Sequence, residues 1–76
     1  MSGARQVDVT DVAAEALALG QVVSLGGQLL VVKAVYGDLA RADVVHVAVL
    51  TKLGAEVVLE RSRGDLFDVV EVVVPV

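Results

Sequence analysis

His46 is the single histidine of the chain and the one side chain whose ordinary titration range suits proton transfer near neutral pH. It lies in a valine-rich run, "VVHVAVL", and no cysteine or second histidine is present to share a metal ion with it. The hydroxyl side chains Ser24, Ser62, Thr10 and Thr51 have no histidine at a spacing that suggests an activated nucleophile. Asp65, Asp68 and Glu71 cluster near the C-terminus, and paired carboxylates can exchange protons, but Asp65 follows Gly64 in a turn where Asp is commonly found. "SLGGQ" is glycine-rich without leading from a strand into a helix, as a phosphate-binding loop would require. The tripeptide Arg63-Gly64-Asp65 has the residue types that any turn between strands needs. Arg41, in a polar loop with Asp38 and Leu39, is the residue most open to a binding role. No catalytic, cofactor or metal constellation emerges, so an enzyme is not expected.

The elements that would position these residues are mostly strands. Twenty of the 76 residues are valine, and 57% of the chain is hydrophobic. The length suits one domain, read over residues 7–76 after a short, frayed and flexible N-terminus at 1–6. "VDVT" alternates as a short strand does. In "DVAAEALALG", alanine, leucine and glutamate favour helix, Asp11 is placed to cap it and Gly20 to stop it. This segment reads as two or three helical turns, or as a tighter turn into the next strand. Strands follow at Val22–Leu25, Leu29–Tyr36, Val44–Thr51, Glu56–Ser62 and Leu66–Val74, with Pro75 ending the last. The Gly26-Gly27 pair accepts the positive φ of a tight hairpin, while Gly37–Asp43 forms a longer loop. The expected fold class is all-β: a small five-stranded SH3-like barrel with a short N-terminal helical segment, since closure removes open edges.

"LALGQVVSLGGQLLVVKAV", residues 17–35, resembles the opening of the N-terminal KOW-like domain of the elongation factor P family. Leu17, Gly20, Val22, Val23, Leu25, Gly27 and Val32 carry the likeness, and "LTKLGAEVVLERS", residues 50–62, extends it through Gly54, Ala55, Glu60 and Arg61. The resemblance implies an SH3-like fold and a loop that reaches toward tRNA on the ribosome. The corresponding loop here is Gly37–Asp43, in which Arg41 is the one base and Asp38 and Asp43 are acids.

Charge and hydropathy narrow the partners. Ten acids against six scattered bases give a net charge of −4, which disfavours general binding to nucleic acid, ribosomes included. No apolar run is long enough to span a bilayer as a helix, and the N-terminus lacks a signal peptide's apolar core, so a cytoplasmic or intracellular-particle location without membrane contact is expected. A domain this small shelters only about 60% of the surface of its unfolded chain. Its apolar surplus must therefore reach the surface, where it marks a contact. Leu29, Val31 and Val35, on one side of a strand, are expected to form the apolar interface, and Asp38, Leu39 and Arg41 a binding loop tip. The expected role is a non-catalytic assembly module, a homo-oligomer or a subunit of a larger complex such as a phage or other particle. The alternative is an elongation-factor-P-like contact with ribosome or tRNA.

Overall fold

Alternation of valine with polar or small residues dictates extended chain, and the computed structural model is mainly strand. It describes residues 6–73 of the 76, with side chains over residues 8–71. Six strands follow in chain order: β1 (Gln6–Ala13), β2 (Val22–Leu25), β3 (Gln28–Gly37), β4 (Val44–Leu50), β5 (Glu56–Ser62) and β6 (Leu66–Val73). All pair antiparallel in one sheet of order β1-β6-β2-β3-β4-β5. Gly26 and Gly27 sit at φ +58° and +80°, the left-handed region that the two-residue β2–β3 turn requires.

One face of this sheet is the core. Val23, Leu30, Val32, Val45, Val47, Val49, Phe67 and Val69 form a continuous buried cluster, with Val12, Leu25, Val35 and Leu59 packed at its margin. No second layer of structure exists among the described residues, so burial to 0% exposure at Val23, Val47 and Val49 requires the sheet to curl over its own inner face. A single 3-10 turn, Ala14–Ala16, and the following Leu17 close the cluster against β3 and β4. Reciprocal backbone bonds then fasten the chain to Val32: Gly20 N donates to its carbonyl and its amide donates to the Gln21 carbonyl, both at 2.8 Å.

Two expectations are corrected here. The sheet is not a five-stranded barrel but an open, six-stranded one. β6 offers two edges; β2 takes one over Asp68–Val70 and β1 takes the other along its whole length. No edge of β6 remains beside the core for β5 to close upon, so β1 and β5 stay at the margins. The N-terminal helical segment is likewise absent. Asp11, Val12 and Ala13 continue β1 opposite Asp68, Phe67 and Leu66, so Asp11 caps nothing. A helix of two turns is too short to repay its nucleation, whereas the strand gains a complete ladder and packs Val12 against the core. The frayed N-terminus expected for residues 1–6 concerns residues 1–5, which lie outside the described residues, and Gln6, whose backbone opens β1. Pro75 also lies outside them.

A third difference concerns faces. The pairing of β3 with β4 shifts between Val32 and Ala34, a bulge at Lys33. The extra residue inverts the alternation beyond it. Val35 therefore packs against the core opposite Val47 and is withdrawn from the outward set, while Leu29 and Val31 remain exposed. Lys33 points to solvent and pairs with Glu56 of the edge strand at 3.0 Å.

Candidate interaction site

Cross-strand register brings together residues that are far apart in sequence. Tyr36 on β3 faces His46 on β4, and His46 faces Glu60 on β5, in one row on the outer surface. The Tyr36 and His46 rings stack with centroids 5.3 Å apart and planes 20° apart. The loop after β3 folds Asp38 back over this row. Its Oδ1 accepts the amides of Ala40 (2.8 Å) and Arg41 (2.9 Å), an arrangement for which Asp is suited in turns. Its Oδ2 lies 2.8 Å from His46 Nε2 and accepts from Arg41 at 3.1 Å. Arg41 also donates to both Glu60 oxygens, at 3.2 and 2.6 Å.

The electrostatics follow from these contacts. The hydrogen bond from His46, then the Ala40 amide and Arg41, hold the Asp38 carboxyl well below the usual carboxylate range. Asp38 is thus ionised and can only accept, so Nε2 carries the proton of the shared hydrogen bond. Arg41 lowers Glu60, and Glu60 with Asp38 raises the already high Arg41 further. Backbone bonds complete the clamp: Asp38 N donates to Val44 O (3.1 Å), Val44 N to Arg41 O (3.2 Å) and Arg63 N to Asp43 O (3.0 Å). Arg63 Nε donates to Ala42 O as well. Leu39 stands fully exposed on this pinned loop.

Chemically the cluster has few uses. Asp38, His46 and Glu60 could each offer one ligand atom to a cation, all within 4.8 Å of one another. The Arg41 guanidinium already bridges the two carboxylates, and a cation would have to displace it. A His–Asp pair is two parts of a nucleophilic triad, yet no hydroxyl side chain bonds to His46 among the described residues.

The second feature is apolar. Val22, Leu29, Val31, Thr51, Lys52 and Leu53 line an open groove of about 1020 Å³ between the β2–β3 and β4–β5 turns. Leu53, at the tip of the β4–β5 turn, is 94% exposed. Of the residues expected to bind, the structure gathers Asp38, Leu39 and Arg41 in the loop and Leu29 and Val31 in the groove; Val35 belongs to neither. Sequence reasoning missed Tyr36, Glu60 and Leu53. For Tyr36 the signal was the hairpin itself, since it and His46 flank the loop symmetrically.

Comparison with known proteins returns no match: no protein-family model, no curated protein and no solved structure is similar to this chain. No helix among the described residues is long and apolar enough to cross a membrane.

Proposed function

We propose that this protein is a non-catalytic interaction module that packs its apolar surface against another copy of itself or a larger assembly, as a particle component does. The observation that carries this reading is the exposure of large apolar side chains on both features: Leu39 and Leu53 almost wholly, Leu29 at 58% and Val31 at 40%. Exposed apolar side chains gathered around a groove mark contact surfaces. The clamp around Leu39 supports it further, because a loop already ordered loses little entropy when it docks. The succession β6-β2-β3-β4-β5 within the sheet supports an SH3-like ancestry in an open form. The translation-factor-like alternative would use Arg41 on RNA phosphate, and the engagement of Arg41 by two carboxylates weighs against it.

A dilution series in the analytical ultracentrifuge tests the proposal. The wild type is expected to sediment above one protomer at high micromolar concentration, and Leu29→Asp, which alters only exposed surface, to shift it toward the protomer. A wild type and a variant that sediment alike as single protomers, and that bind nothing else of apolar surface, would contradict the reading.

A further inference from the structure

Knob and groove lie at opposite ends of one hairpin. Leu39 crowns the loop that follows β3, whereas Leu29 and Val31, near the start of β3, floor the groove. Six residue steps of β3 run from Val31 to Gly37, where the loop begins, and hold the two about 20 Å apart at the rise of an extended strand. Leu39 therefore cannot enter the groove of its own chain. It can enter that of another.

We propose that Leu39 of one copy seats in the groove lined by Leu29, Val31 and Leu53 of the next, so that copies join head to tail. The proposal rests on the interaction reading above and names its partner. Two observations favour a second copy as occupant. The first is that an apolar groove needs an exposed, rigidly held apolar anchor, and this chain presents one at its far end. The second is charge. Asp38 is consumed by His46 and Arg41, but Asp43 in the same loop forms no side-chain bond or ion pair among the described residues. At the groove, Lys52 is equally unpaired among the described residues, and no acid lines the groove with it. Docking the loop brings Asp43 toward Lys52, an acid rim to a basic one.

Because the two patches differ and lie at opposite ends of the hairpin, the contact either closes as an antiparallel pair with two such seats or propagates into a ring or an open series.

Complementation between variants tests this. Leu39→Asp destroys the knob and keeps the groove; Leu53→Asp does the reverse; both sites are exposed, and far-ultraviolet circular dichroism establishes that each variant remains folded. Each alone is expected to sediment as a protomer. An equimolar mixture is expected to form a one-to-one pair and nothing larger, since only one competent contact can exist. Variants that associate as the wild type does, or a mixture that stays at protomer mass while the wild type associates, would overturn the head-to-tail contact and leave the broader interaction reading intact. A wild type that never exceeds one protomer would overturn self-association altogether and restrict that reading to a foreign partner.

Discussion

Asp38 Oδ2 lies 2.8 Å from His46 Nε2, and through that contact the loop after β3 is tied to the first half of the strand that follows it. The same carboxylate group accepts two loop amides and the Arg41 guanidinium. One side chain therefore sets the shape of the loop that presents Leu39.

Asp38→Ala removes the acceptor for the Ala40 and Arg41 amides. Their hydrogen exchange is expected to accelerate about tenfold, while amides of β4 exchange as before. Equal protection of all of them in the variant would show that the loop is held by other means. The sign of the pH effect is also fixed. The folded-state pKa of Asp38 is depressed, so its contribution is present above the unfolded value of 3.8 and is lost as the pH falls below it. Loop protection in the wild type should fade on acidification in that range.

Asp68 behaves in the opposite way. It faces Asp11 directly across the β1–β6 ladder, and the hydrogen bond and repulsion between the two carboxyls, together with desolvation, raise its pKa. A raised folded-state pKa means stability that is complete below 3.8 and lost as the pH rises through the folded value. Asp68→Asn is thus expected to raise the melting temperature at neutral pH, with the gain shrinking as the pH falls toward 3.8 and absent below it. A variant equally stable or weaker at neutral pH would refute the repulsion.

Val47 is fully buried at the centre of β4 and packs between β3 and β5. Val47→Ala should cost about 2 kcal/mol, enough to lower the melting temperature by about 8–16 °C in a domain of this size. Leu39→Ala, by contrast, alters an exposed side chain and should stay within about 0.5 kcal/mol. Thermal denaturation of the two variants side by side checks both numbers. A comparable loss at Leu39 would mean that the loop tip serves folding rather than contact.

Much of this architecture can be read from residue order. Val22–Leu25 and Glu56–Ser62 coincide with the expected strands, β3 is one residue longer than expected at each end and β4 one residue shorter at its C-terminal end, because glycine turns and β-branched runs act locally. The expected β6 agrees with the observed strand through Val73, beyond which the chain lies outside the described residues. Asp11–Ala13 read differently because pairing with β6 overrides a weak helical preference, and pairing is a property of the whole sheet. The face of Val35 depended on one bulged residue, Lys33, whose insertion leaves no trace in the alternation of a strand that is apolar on both sides. The site was legible in its loop and hidden in its row. Arg41 and Asp38 are neighbours in sequence, but their meeting with His46 and Glu60 depends on two ladder registers that no local pattern encodes.

The exposed side chains of Leu29, Leu39 and Leu53 are proposed to be covered by further copies of the chain. Light scattering of the purified wild type at high micromolar concentration measures that most directly. The weight-average mass is expected to climb with concentration through multiples of 7.9 kDa. A mass fixed at 7.9 kDa across the whole range would contradict it.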